Sequence, residues 1–242
     1  MGSEPYEPRH YWSDRLEREF SLRGTGHLSY SVGYNRWLYR AKRRALKRGL
    51  ADAPSGRALD VGSGTGWVVR ELLRRGESVE GCDIAPAVVE RLRTELPEVP
   101  FMQVELGIEP VPRGDGTYDL VTALDVLYHV TDDQAWGTAV AELARVTRPG
   151  GAVVVSDGLG VNDRAPAPHV RLRSLQRWRE LAAGSGLRLE RTVPLYGWLS
   201  RDPEAGLFRH LPGAVRGPAE YALELAARRE PHMSIAVLVR VG

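Results

Sequence analysis

One run of the 242-residue chain constrains its fold more than any other: Ala58-Leu59-Asp60-Val61-Gly62-Ser63-Gly64-Thr65-Gly66. A mostly apolar stretch leads into glycines at alternate positions, and a helical pattern begins at Trp67. Glycine permits positive φ and lets a ligand approach the backbone, while the helix behind it offers unpaired N–H groups. The run therefore predicts a strand, a ligand-facing bend and a helix. It departs from the dinucleotide fingerprint Gly-x-Gly-x-x-Gly: the third glycine comes one position early, and Trp67 stands where the last would be. Asp60, two residues before Gly62, favours a ligand with positive charge, such as an amino-acid ammonium, over one with two phosphates.

A second signal reinforces the first. Asp83 ends the next apolar run, 17 residues beyond Gly66. A carboxylate there accepts hydrogen bonds from the two hydroxyls of a ribose. Ile84 follows it, placed to pack on an adenine face. An acid at a strand end at this distance is hard to attribute to folding alone.

From 56 to 157 short apolar runs alternate with helical patterns, which predicts β-α-β units and a parallel sheet. Strands are expected at 58–61, 79–83, 99–104, 118–124 and 152–156. Helices are expected at 67–75, closed by Gly76, and from Pro86 to a stop at Pro97. Another carries Trp136, Ala139, Val140, Leu143 and Val146, ended by Arg148-Pro149-Gly150-Gly151. A proline-containing loop, a helix at 174–183, a strand at 187–193 and a last strand from Met233 to Val241 follow. Residues 1–50 form a helical cap, with Tyr34, Trp37, Leu38, Ala41 and Ala45 on one face and Arg36, Arg40, Arg43 and Lys47 opposite. Residues 51–242 form the main domain. Residues 194–220, rich in Pro and Gly but carrying Tyr196, Trp198, Phe208 and His210, read as a lid inserted before the last strand.

These motifs resemble those of the class I, Rossmann-like S-adenosylmethionine-dependent methyltransferases, and the likeness covers about residues 56–157. Asp60-Val-Gly-Ser-Gly-Thr-Gly66 looks like the family's first motif and Asp83 like its ribose-binding acid. Val104-Glu105-Leu106 looks like its adenine-contacting position, with Glu105 where many relatives have Asp. Tyr118 to Asp125 is similar to the fourth motif, and Arg148-Pro-Gly-Gly151 to the turn after its helix. The resemblance implies a doubly wound, mostly parallel seven-stranded α/β sheet whose last hairpin, 187–193 with 233–241, is antiparallel. It also implies S-adenosyl-L-methionine as cofactor, held by Asp60, Gly62, Ser63, Gly64, Gly66, Asp83, Ile84, Glu105, Leu106 and Leu124. Tyr34, Asn35 and Arg40 of the cap are candidates for the donor's methionine end.

Methyl transfer from a sulfonium needs alignment in a dry pocket more than it needs acid–base help. His129, just past the fourth strand, is a candidate general base; the alternative is that it packs or orients the loop. Asp125 joins it as a catalytic candidate. Tyr128, Asp157, Tyr196 and Trp198 are candidate acceptor contacts, although Asp157 equally suits tying down the following loop. Asp125 and Tyr128 replace the acids of a Glu-x-x-Glu-His metal pattern, so no metal is expected.

The predicted reaction is methylation of an amine or hydroxyl of a small molecule in bacterial specialised metabolism. A peptide α-amine methyltransferase is the alternative, which an open acidic groove over Asp125 and Asp157 would favour. A nucleic-acid methyltransferase and a non-catalytic cofactor-binding protein rank lower. The net charge of +2 does not call for a nucleic-acid partner. No apolar run reaches the ~20 residues of a membrane span. Cys82 is the only cysteine, which excludes an intrachain disulfide and fits a reducing cytoplasm.

Overall fold

The chain enters through two helices, α1 (Pro8–Arg18) and α2 (Val32–Gly49), in a computed structural model that describes residues 6–200, 208, 210–226 and 229–242. Ser31 caps α2 by accepting the Tyr34 N–H. The expected stripe of Tyr34, Leu38, Ala41 and Ala45 is buried, while Arg36, Arg40, Arg43 and Lys47 face outward. Lys42 breaks the pattern, because it is buried among the apolar residues.

Then follow β1 (Arg57–Val61), α3 (Trp67–Arg75), β2 (Ser78–Asp83), α4 (Pro86–Glu95), β3 (Phe101–Gln103), β4 (Tyr118–Ala123), a 3-10 turn at Leu127–His129, α5 (Asp133–Val146) and β5 (Thr147–Asp157). The order in the seven-stranded sheet is β3-β2-β1-β4-β5-β9-β8, where β8 is Leu187–Tyr196 and β9 is Met233–Arg240. The first five strands are parallel, and β9 runs antiparallel to both β5 and β8. This is the predicted sheet, with its antiparallel final hairpin.

Alternation along the strands sends side chains to two cores. Ala58, Leu120, Val154 and Val237 meet α2, α3 and α4 on one face, while Leu59, Val121, Val153 and Leu238 meet α5 and α6 (Leu175–Gly184) on the other. Each fully buried aliphatic chain contributes ~1.5–3 kcal/mol by leaving water. The strand order reverses between β1 and β4, so their carboxyl ends open a crevice, the usual ligand position in such sheets.

Three expectations are corrected. Arg148-Pro-Gly-Gly151 does not close α5; the helix stops at Val146, and the four residues lie inside β5, where the pairing with β4 shifts register and Gly150 adopts φ 75°. The proline-containing loop holds a small antiparallel hairpin, β6 (Arg164–Ala167) and β7 (Val170–Leu172). The lid region is not one loop: β8 continues to Tyr196, and α7 (Gly213–Ala226) packs on α2 through Trp37 and Tyr221, 5.2 Å between rings. Residues 201–207 and 209 of that stretch lie outside the described residues.

Candidate functional site

The bend after β1 is built from the backbone. Gly62 and Ser63 donate N–H bonds to the Cys82 carbonyl at 2.8 and 3.0 Å, which ties the turn to β2. Gly62 has φ 70°, and a Cβ there would stand 2.3 Å from Val126 Cγ2, so glycine is required both for conformation and for space. Asp83 at the end of β2 accepts the Gly64 N–H at 2.8 Å on one oxygen and the Ala85 N–H at 2.9 Å on the other. Burial pushes its pKa up, against the pull of these N–H donors. Each oxygen can still accept a further hydrogen bond, and Asp83 lines the cavity described next.

Asp60 lies under the turn rather than in the cavity wall. One oxygen accepts the Thr122 hydroxyl at 2.7 Å and the other has no partner among the described residues. Burial raises its pKa to about 7. A buried, half-satisfied carboxylate is a structural cost that binding sites commonly carry.

A cavity of about 330 Å³ opens over this turn. Gly62, Ser63 and Gly64, then Asp83 and Ile84, then Glu105, Leu106 and Leu124 contribute to its walls, so the ends of β1, β2, β3 and β4 converge on it. Its volume and mixed lining suit a small ligand. The roof comes from α1 and the residues before it, through Tyr6, Pro8, Trp12 and Leu16. Arg9 fastens this roof, bonding Glu105 at 3.0 Å and Glu109 at 3.1 Å across about a hundred residues of sequence.

A second chamber of about 930 Å³ adjoins the first. The two share Trp12, Thr25, Tyr39, Lys42, Asp125 and His129. Asp125 sits just after β4 at φ 60°, unusual for a residue other than glycine and a sign that its surroundings over-determine it. Ser156 accepts its N–H at 2.7 Å and donates to one carboxylate oxygen at 2.9 Å; Lys42 holds the other. Burial alone would discharge this pair. The mutual attraction wins, keeping Lys42 above and Asp125 below their ordinary values, so both stay charged.

His129 lies between the chambers. Its Nδ1 is 2.6 Å from the His169 carbonyl, and because a carbonyl only accepts, Nδ1 carries the proton and Nε2 keeps its lone pair. Burial lowers its pKa to about 4, so it is neutral near pH 7. Trp12 meets its ring edge-on at 4.8 Å, and the His169 ring lies parallel to it at 5.7 Å.

Several predicted contacts fall elsewhere. Tyr34 stacks on Tyr30 at 4.1 Å and gives its hydroxyl proton to Glu220 of α7, away from both chambers. Asn35 is buried, bonding the carbonyls of His27, Tyr30 and Ser31. Arg40 lies on the outer face of α2 over Trp37. Gly66 caps α3 without lining either cavity. Asp157 is used internally: it accepts the N–H groups of Gly158 and Arg173 and the Trp178 indole at 2.9 Å. The imagined acidic groove over Asp125 and Asp157 is thus absent, because one acid is paired with Lys42 and the other is buried. Trp198 packs under Arg229 outside the chamber walls, whereas Tyr128 and Tyr196 do line the second chamber. No cluster of three potential metal ligands occurs among the described residues.

Sequence reasoning missed Lys42, Tyr39, Trp12, Thr25 and His169. Only Lys42 left a trace: it sits next to Ala41 on the apolar side of α2, in a chain whose 33 basic residues include just one other lysine, Lys47.

Comparison with known proteins agrees with this geometry. A family profile described as a methyltransferase domain matches residues 59–155. A demethylmenaquinone methyltransferase of Beutenbergia cavernae is 33% identical over 115 residues, 48% of this chain and 46% of the relative; the chain spans about half the length of such curated relatives. Human methyltransferase-like protein 27 is 33% identical over 171 residues, covering 62% of this chain and 68% of that protein. Among solved structures, magnesium protoporphyrin IX methyltransferase from Synechocystis superposes with a TM-score of 0.63 at 16% identity, over 99% of this chain and 100% of the other. Taken with the glycine bend, the strand-end acid and the seven-stranded order, these matches place the chain in the class I, Rossmann-like family of S-adenosylmethionine-dependent methyltransferases.

Proposed function

We propose that the chain transfers a methyl group from S-adenosylmethionine to an amine or hydroxyl of a small molecule, within bacterial specialised metabolism. The carrying observation is the pair of adjoining chambers whose common wall holds His129, Asp125 and Lys42. The first chamber receives the donor. Asp83 takes the ribose hydroxyls, the Gly62–Gly64 backbone approaches the methionine portion, and Ile84, Leu106 and Leu124 flank the adenine. Asp60, beneath the bend, supplies negative potential toward an ammonium. Arg9 already occupies Glu105, so that acid acts jointly with α1 in closing the adenine end.

The donor supplies an electrophilic methyl on a sulfonium; the protein supplies alignment and dryness. His129 Nε2 is the base, and the Lys42–Asp125 pair keeps the passage electrically balanced. The ring-lined second chamber supports a small acceptor over a nucleic acid. So do the relatives named for methylating demethylmenaquinone and magnesium protoporphyrin IX. A peptide α-amine loses its main support with the acidic groove. A cytoplasmic setting is supported by the lone, buried Cys82, and no helix among the described residues is long and apolar enough to cross a membrane.

The test is incubation of the purified protein with methyl-labelled donor and fractionated metabolites of the organism that encodes it, reading products by mass spectrometry. A labelled small molecule is expected. Donor binding without any labelled product would favour a sensor, and calorimetry showing NADH bound in place of the donor would overturn the assignment.

A further inference from the structure

We propose that the second chamber accepts a planar aromatic hydroxyl compound, and that Lys42 polarises the acceptor oxygen at the passage between the chambers. This rests on the methyl-transfer reading above and narrows it. The chamber is lined by rings: Trp12, Tyr39, Tyr128, Tyr196, His129 and His169. His129 and His169 lie parallel at 5.7 Å and Tyr11 stacks on His169 at 4.9 Å, so aromatic rings rather than aliphatic chains dominate this part of the lining, a surface suited to an aromatic ligand.

The charges at the passage select among acceptors. An alkylamine arrives as an ammonium, and to react it must lose a proton. Asp125 is already neutralised by Lys42, and an imidazole that protonates only near pH 4 cannot strip an alkylammonium. The balanced Lys42–Asp125 pair also offers such a cation no net attraction. An uncharged phenol meets neither obstacle. Its O–H donates to His129 Nε2, and its lone pair accepts from Lys42.

Lys42 has the capacity for this. Asp125 takes one of its three N–H groups, the Tyr39 ring face lies 4.1 Å from Nζ, and Lys42 lines both chambers. In the step, the phenol oxygen directs a lone pair to the methyl carbon as the carbon–sulfur bond breaks with its electrons on sulfur. The O–H proton passes to His129 Nε2 and then to water. The sulfonium's positive charge thus leaves as that proton. An oxygen that is gaining a methyl group is a far stronger acid than imidazolium, so even a weak base takes the proton as the bond forms.

The experiment uses 7-hydroxycoumarin, a planar phenol whose ion absorbs separately, bound to the protein saturated with S-adenosylhomocysteine. Its ionisation is followed by absorbance against pH in wild type, Lys42→Met, Lys42→Arg and the double variant Lys42→Met/Asp125→Asn. The double variant removes the uncompensated buried acid that could unfold the single one, and circular dichroism and S-adenosylhomocysteine calorimetry verify each protein. The bound midpoint should rise by a pH unit or more in Lys42→Met and in the double variant, and return toward wild type in Lys42→Arg. Equal midpoints in all four would overturn the role of Lys42. Failure of the probe to bind a protein that binds S-adenosylhomocysteine, or tighter binding of 4-phenylbutylamine, would overturn the acceptor class. Failure to bind S-adenosylhomocysteine would remove the methyl-transfer reading beneath it.

Discussion

The two chambers are made in opposite ways. The first chamber, proposed for the donor, is written mainly in strand ends and in backbone: the Gly62–Thr65 bend, Asp83 held by two N–H groups, and the residues just after β3 and β4. The second chamber, proposed for the acceptor, is written in side chains from α1, α2, the 3-10 turn, the β6–β7 connection and β8, which meet only in the folded molecule. A backbone cradle tolerates little change and serves one ligand. A wall of side chains from separate segments can be altered one position at a time, which suits variation of acceptor on a constant donor site.

If the comparison is right, the two sides fail differently. The largest effect is expected from His129→Ala, which should slow turnover by ~10²–10⁴ while leaving donor affinity unchanged. A variant with full activity would remove His129 as base. The wild-type enzyme should also keep this base competent down to pH about 4, with no acid limb at the 6.5 of free histidine. The folded imidazole binds protons less readily than the unfolded one. Stability from this group is therefore lost as pH falls from about 6.5 toward 4, a trend urea titrations at stepped pH would reveal and His129→Ala would flatten.

Gly62→Ala should act on the other side and on folding as well. A Cβ at φ 70° that collides with Val126 costs ~2–4 kcal/mol, read as a lower urea midpoint together with weaker donor binding. Asp83→Ala should weaken the donor by ~1–3 kcal/mol, about five- to 150-fold in Kd by calorimetry. An unchanged constant would take the ribose away from Asp83. Arg9→Ala should do least. Its ion pairs are partly exposed, so a loss below ~1 kcal/mol is expected in donor affinity. A larger loss than that of Asp83→Ala would mean that the α1 roof, not the glycine cradle, holds the donor.

Legibility in the sequence follows the same division. The β1 bend and Asp83 lie within 26 residues of one another, and their chemistry is carried by residue types that folding alone seldom demands there. The β-α-β alternation showed that the sheet is parallel, but not the order of its strands, because each strand is a short apolar run bounded by a helix pattern. Tyr34 and Arg40 show the limit. Helical periodicity said which faces they share, but not that α7 would arrive to take the Tyr34 hydroxyl through Glu220. Asp157 shows it again: an acid at a strand end reads the same whether it faces a ligand or an indole, and Trp178 lies 21 residues away.

By itself the sequence determined the sheet, the bend and the acid that ends β2, because hydrogen-bonding period and glycine conformation are local properties. The tertiary structure alone decided that Lys42 neutralises Asp125, that the His169 carbonyl fixes the tautomer of His129, and that Trp12 roofs both chambers. Those facts depend on which distant segments pack together and how far each charge is drawn from water. No local pattern encodes either.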